Sequence, residues 1–307
     1  MELYKKYRPK GLKDVIGQDV AVRVLQKYLD KENMPHFICL VGPSGCGKTT
    51  IMRILRKKLN CSIHDFYETN GASNNGVDTV RSIQSRMHQA PIDGKCKIYA
   101  INEVHKLTNE AQNAFLETLE DTPKHVYFIF TTTTPNKLLA AVKTRATEIM
   151  LNSLNNNAIK HIIDNVANSE KKRIKESVLD KIVEYSSGSA RKALVFLDQI
   201  IELDDEDDML NAIEKSSSED VGFQIAKALH NPRIRWSEMI DILNKIENEE
   251  VETIRYIVLG FAKSVMLKGG KLTDRAMLII NAFGNNFYDS KQAGLVAACY
   301  EVIGLTK

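Results

Sequence analysis

The segment Gly42-Pro43-Ser44-Gly45-Cys46-Gly47-Lys48-Thr49 constrains this chain more than any other, because it matches G-x-x-x-x-G-K-[S/T] between an apolar run and a helical pattern. Upstream, FICLV from Phe37 to Val41 has the length and composition of a buried strand. Downstream, Ile51, Ile54, Leu55 and Leu59 recur with helical spacing. In that context the glycines let backbone N–H groups converge on phosphate oxygens, and the helix adds its positive N-terminal end. Lys48 is expected to neutralise the outer phosphates and Thr49 to ligate Mg²⁺. The nucleotide-binding stretch is read as Gly42 through Thr50. A glycine turn that binds nothing is the alternative, and the flanking strand and helix argue against it.

Two more apolar runs reach the same kind of end. KIYAI (97–101) stops at Asn102 and Glu103, and VYFIF (126–130) runs into four threonines. Strands alternating with helical segments such as 110–119 predict an α/β fold, a parallel sheet covered by helices on both faces. Ligands bind at the C-terminal ends of strands in such sheets. Hydrolysis of a bound triphosphate needs a group there to orient water. Glu103 is the expected residue, an ordinary surface carboxylate being the alternative. Asn102 stands where most such sites carry aspartate, and a neutral amide is a weaker partner for Mg²⁺ or its waters. A slow ATPase, a binding-only protein and a site altered to trap ATP all remain open on that residue.

After Leu151 the pattern is helical, with SLNNNA as a polar hinge and amphipathic stretches at 159–166 and 178–185. YSSGSARKALVFLDQII reads as a capped turn followed by a helix. The acidic run 202–208 is either a second boundary or a solvated helix end, and 251–267 and 276–283 carry wide apolar stripes. A length of 307 residues fits two or three domains. They are drawn here as an ATP-binding domain 1–152, a small helical lid 153–213 and a C-terminal helical domain 214–307.

A net charge of +3 cannot wrap nucleic acid, so any DNA contact must come from a local patch. The five cysteines Cys39, Cys46, Cys61, Cys96 and Cys299 form no C-x-x-C pair and read as reduced, buried thiols. No apolar run approaches the roughly 18 to 20 residues of a membrane span, and a cytoplasmic protein with no membrane partner is expected.

Taken together, several motifs resemble the AAA+ clamp-loader family, specifically the bacterial tau/gamma and replication factor C small subunits, over roughly residues 1–205. They are Tyr7-Arg8-Pro9, Asp14-Val15-Ile16-Gly17-Gln18, the loop above, Asn102-Glu103-Val104-His105, Phe115-Leu116-Glu117-Thr118-Leu119-Glu120 and Gly188-Ser189-Ala190-Arg191-Lys192-Ala193-Leu194. The resemblance implies an AAA+ P-loop domain with a helical lid and collar, using ATP and Mg²⁺. Arg8, Pro9, Val15 and Ile16 are the implied adenine contacts. Thr133 resembles the sensor of the γ-phosphate, Arg191 matches the lid arginine that reaches the same phosphate, and Arg145 in Lys143-Thr144-Arg145 matches the arginine that enters a neighbouring subunit's site. Thr144 and Ala146 replace the family's usual serine and cysteine there.

The resemblance also implies phosphate-backbone contacts to primer-template DNA from Arg81 and Lys137, with Asn74, Asn75 and Gly76 offering N–H groups. A solvated surface is the alternative for each. Implied partners are a ring-shaped sliding clamp, faced by residues 87–91, and further subunits in a pentamer-like ring, both copies of this chain and at least one other loader component. The family's zinc module, inserted after the position of Cys61 in bacterial relatives, is missing, so no zinc is expected. The chain would suit a compact, phage-type loader. Two rival expectations are a branch-migration or helicase-type motor, and a nucleotide-binding subunit that never hydrolyses.

Overall fold

The computed structural model describes residues 2–218, 221–246, 251–270, 272–287 and 290–304. The chain divides into two compact units, one of residues 4–158 and one formed mainly by residues 159–307.

In the first unit, strands β1 (Phe37–Val41), β2 (Phe66–Asn70), β3 (Lys97–Asn102), β4 (Val126–Thr132) and β5 (Thr147–Met150) form one parallel sheet in the order β2-β3-β4-β1-β5. Helices α1 (Leu3–Lys6), α2 (Asp19–Asp30), α3 (Lys48–Lys58), α4 (Val77–Met87), α5 (Asn109–Glu120) and α6 (Ala140–Arg145) precede or connect the strands. Alternation along each strand builds two cores. Ile38, Leu40, Ile98, Ala100 and Ile129 pack with Leu25 of α2 and Ile51, Met52 and Leu55 of α3. Phe37, Cys39, Val41, Tyr99, Ile101, Phe128 and Phe130 pack with Val80, Ile83 and Met87 of α4, Phe115 of α5 and Val142 of α6. Phe115 stands edge-on to Phe128 and Phe130, with ring centres 6.2 and 5.3 Å away. Fully burying one such aromatic stabilises by about 1.5–3 kcal/mol.

β1, β3 and β4 lie inside the sheet, which is why they are apolar on both faces. The parallel register aligns Val41 with Thr132 and Ile101 with Phe130. Gly42, Asn102 and Thr133 therefore emerge at one edge of the sheet.

The second unit is helical. It takes in most of α7 (Asn156–Ser169), then α8 (Glu176–Ser186), α9 (Ala190–Ile200), α10 (Glu206–Ser218), α11 (Val221–His230), α12 (Trp236–Leu243), α13 (Val251–Lys268), α14 (Thr273–Ala282) and α15 (Lys291–Gly304). The acidic run supplies the first turn of α10 with Glu206, Asp207 and Asp208, where carboxylates favour a helix N-terminus. Residue 214 falls inside that helix. From α11 onward a single core gathers Ile225, Leu229, Ile254, Val258, Phe283, Leu295 and Val302. A buried Glu252–Arg255 ion pair at 2.8 Å braces it, because Arg255 also donates to the Phe283 carbonyl at 3.1 Å. Among the described residues no helix is long and apolar enough to cross a membrane.

Candidate functional site

The loop after β1 is a backbone device. Gly42 N–H donates to the Thr132 carbonyl at 3.1 Å, which continues the β1–β4 ladder one step past the strand. A Cβ at Gly42 would fall 2.4 Å from the Leu151 carbonyl oxygen, so only glycine passes there. Gly45 and Gly47 take φ of 76° and 109°, a left-handed path that closes the loop onto the start of α3. Lys48 folds back into that loop, donating to the carbonyls of Gly42 and Pro43 at 2.6 and 2.7 Å. Its charge thus stands inside the turn of N–H groups, where an anionic phosphate would meet both.

Gln18 fixes the loop from outside. Its buried amide donates to the carbonyls of Cys46 (3.2 Å) and Asn152 (2.7 Å), and accepts from the Asn152 N–H at 3.1 Å. Half-buried Val15 and Ile16 lie just before it, and half-buried Arg8 and Pro9 follow α1. We expect Gln18→Ala to lower stability by about 1–3 kcal/mol, since buried backbone groups lose their partners. Thermal unfolding would measure that loss, and the same variant should bind nucleotide more weakly.

At the end of β3, Asn102 Oδ1 accepts from two hydroxyls, Thr49 at 3.4 Å and Thr131 at 3.2 Å. Its Nδ2 donates to Glu68 Oε1 at 2.9 Å, and Glu68 in turn binds Arg53 at 3.0 Å. Mg²⁺ held with a nucleotide takes one or two protein oxygens besides phosphates and waters. The neighbouring Thr49 hydroxyl and Asn102 carbonyl fit that role, with the phosphates supplying the negative charge. Among the described residues no group of three or more His, Cys, Asp or Glu could hold a metal by itself. All five cysteines are buried and free.

Glu103 leaves the strand at φ 53° and ψ 44°, a left-handed conformation that costs a non-glycine residue about 1–3 kcal/mol. The Glu103 N–H donates to Thr131 Oγ1 at 3.3 Å, and the carboxylate pairs with Lys106 at 2.8 Å. Behind it, buried His105 meets Thr132 Oγ1 at 3.0 Å. β4 thus extends two residues beyond its apolar run: Thr131 holds the Asn102–Glu103 corner, and Thr132 holds His105 behind it. Thr133 follows directly, half-buried. Thr131, Glu68, Arg53 and the anchoring amide of Gln18 do not stand out as site residues in the sequence. The threonine row was the one visible signal, and the strand register decides which hydroxyl it uses.

The first unit brings together the glycine loop, Lys48, Thr49, Asn102 and Glu103. It does not bring Arg145 to them: this last residue of α6 is exposed, paired with Glu120 and donating to the Ala141 carbonyl at 3.2 Å. Arg191 is the second residue of α9, a helix of the second unit that Ser189 caps by accepting from Lys192 N–H at 3.3 Å. Thr50 lies on the first turn of α3. Exposed Arg81 on α4 pairs only loosely with Asp78 at 3.3 Å, and Lys137 is exposed in a short turn after β4. Asn74 Nδ2 donates to Thr69 Oγ1 at 2.9 Å, the Asn75 carbonyl accepts from Thr108 N–H at 3.0 Å, and Gly76 caps α4.

Residues 63–155 match the family model described as "DNA polymerase III, delta subunit". The chain is 32% identical over 269 residues to DNA polymerase III subunit tau of Bacillus subtilis, covering 80% of this chain and 47% of that protein. It is 28% identical over 289 residues to DNA polymerase III subunit gamma/tau of Mycoplasma genitalium (86% and 48%) and 32% over 220 residues to subunit tau of Escherichia coli (65% and 34%). The chain spans about half the length of the first two of these curated relatives. Among solved structures, the Thermotoga maritima RuvB Holliday junction branch migration motor superposes with a TM-score of 0.59 at 20% identity, over 73% of this chain and 79% of that one. A variant of that motor reaches 0.62 at 18% identity, over 84% and 90%. At such identities the likeness carries the fold alone.

Proposed function

The chain has the AAA+ P-loop fold and is homologous over most of its length to the bacterial DNA polymerase III tau and gamma clamp-loader subunits, and from this we propose that it is an ATPase subunit of a sliding-clamp loader. The observation that carries the reading is the convergence of Lys48, Thr49, Asn102 and Glu103 at the C-terminal edge of one parallel sheet. ATP would lie with its phosphates on the loop, and its base against Arg8, Pro9, Val15 and Ile16. Lys48 then exchanges its carbonyl partners for phosphate oxygens. Thr49 and Asn102 would hold Mg²⁺, which spreads positive charge over the outer phosphates when bound. Glu103 orients the attacking water, while Thr133 and Arg191 report the γ-phosphate to the helical part of the chain.

Arg145 works in trans. Its guanidinium is directed at α5 in its own chain and would enter the site of a neighbour. ATP binding tightens copies of the chain, with at least one other loader component, into a pentamer-like spiral that opens a ring clamp. Arg81, Lys137 and residues 74–76 follow the primer-template backbone without reading bases. The helical part of the chain supplies a lid and a C-terminal collar, in the cytoplasm. The test is ATP turnover with and without primer-template DNA and clamp together: stimulation of about tenfold or more is expected, and turnover indifferent to both would overturn the reading. A strand-moving motor would instead show nucleotide-driven displacement of one DNA strand.

The Glu103–Lys106 pair predicts restraint of the resting site. Both groups are nearly half exposed, so the pair contributes less than about 1 kcal/mol. Lys106→Met should therefore raise the basal turnover of the isolated chain about two- to fivefold. Steady-state phosphate release would measure the rise, and the clamp- and DNA-stimulated rate should stay the same.

A further inference from the structure

We propose that Glu68 is a positioning residue for the metal-binding side of the site: it orients the Asn102 amide so that the carbonyl end, not the NH₂ end, faces Thr49. The inference rests on the reading of Asn102 and Thr49 as the Mg²⁺ side of an ATP site.

A carboxylate presents an oxygen whichever way it turns. An amide presents an acceptor at one end and donors at the other, so one of its two orientations would point NH₂ at a cation. On the inner side, among the described residues, the Asn102 side chain meets only the hydroxyls of Thr49 and Thr131, which donate or accept and so tolerate either orientation. On the outer side it meets Glu68 Oε1 at 2.9 Å, and an ionised carboxylate accepts only. Among the described partners, Glu68 is therefore the one that selects between the orientations. Its own position is set by Arg53, whose Nη2 donates to both carboxylate oxygens at 3.3 and 3.0 Å. The sheet register brings the two side chains within reach of each other. Glu68 pairs with Ala100, which makes it the diagonal neighbour of Asn102 on the same face.

This chain thus uses an amide where a carboxylate would need no orienting partner, and the cost of the exchange is dependence on Glu68. With aspartate at 102 the dependence would reverse, because the second carboxylate oxygen would face Glu68 at hydrogen-bond distance and repel it.

The test is Mg²⁺ titration of the binding of a fluorescent ATP analogue, with affinity in EDTA as the metal-free reference. Glu68→Ala should raise the Mg²⁺ concentration for half-maximal effect by about tenfold, the size expected for losing a residue that orients a ligand, and leave the EDTA affinity unchanged. Glu68→Gln keeps an acceptor and should stay within about twofold. In the Asn102→Asp background, Glu68→Ala should leave the Mg²⁺ requirement unchanged or lower it. Glu68 sits on an edge strand with its side chain 25% exposed, so these variants are expected to fold, and melting curves check that. Should Glu68→Ala not fold, Glu68→Met against Glu68→Gln makes the same comparison. An unmoved Mg²⁺ requirement in Glu68→Ala, or the same increase in both backgrounds, overturns the proposal. If the unaltered chain shows no Mg²⁺-dependent nucleotide binding, the ATP-site reading itself fails instead.

Discussion

Arg145→Ala is expected to lower the ATP turnover of the assembled oligomer by about a thousandfold, the lower end of what an arginine finger contributes. ATP binding by the isolated chain should not change, and neither should its slow basal turnover. The asymmetry follows from where the side chain stands. Arg145 ends α6 and spends its hydrogen bonds on Glu120 and the Ala141 carbonyl, so the chain's own phosphate loop gains nothing from it. Loss of an exposed ion pair with Glu120 has little effect on stability, so melting curves should overlay. A large rate loss that appears only on assembly separates a transition-state contact made by a neighbour from a structural role in α6. Equal loss in the isolated chain would place the arginine in cis.

Glu103→Gln should reduce turnover by about 10²- to 10⁴-fold in any state of assembly, because the water loses the base that orients and polarises it. ATP binding should persist or tighten, since the change removes a negative charge near the phosphates. The left-handed backbone at this position makes the residue's location specific: it turns the carboxylate out of the sheet while Thr131 holds its N–H. Single-turnover measurements should show ATP bound and not cleaved. A Glu103→Gln chain that hydrolyses at the unaltered rate would leave Glu103 as no more than the partner of Lys106.

The interior of this fold was legible because burial on both faces writes itself as uninterrupted apolar runs. Phe37–Val41, Lys97–Ile101 and Val126–Phe130 are the three central strands. The edge strands β2 and β5, with sequences FYETN and TEIM, carry polar residues on exposed faces, and neither run reads as a strand by composition. The same limit applies to the site. The glycine loop, Asn102 and Glu103 are local in sequence or stand at the ends of apolar runs, so spacing reveals them. Glu68 reaches Asn102 only through the β2–β3 register, and Gln18 reaches Asn152 across most of the first unit. The apolar run ends at Phe130, and only pairing with β1 shows that β4 continues through Thr131 to Thr132. The boundary placed at 214 lies in the middle of α10, a helix whose acidic first turn looks like a linker by composition alone.

The central claim is that each ATP site is shared, with Glu103 from one protomer and Arg145 from the next. It is tested most directly by mixing the two inactive chains, Glu103→Gln and Arg145→Ala, and measuring ATP turnover of the reassembled oligomer. Head-to-tail junctions in which the Arg145→Ala chain supplies Glu103 and the Glu103→Gln chain supplies Arg145 are fully equipped. Random assembly places them at about one junction in four, so the mixture should recover roughly a quarter of the unaltered turnover while each variant alone stays near zero. A mixture no more active than its separate components would contradict the shared site.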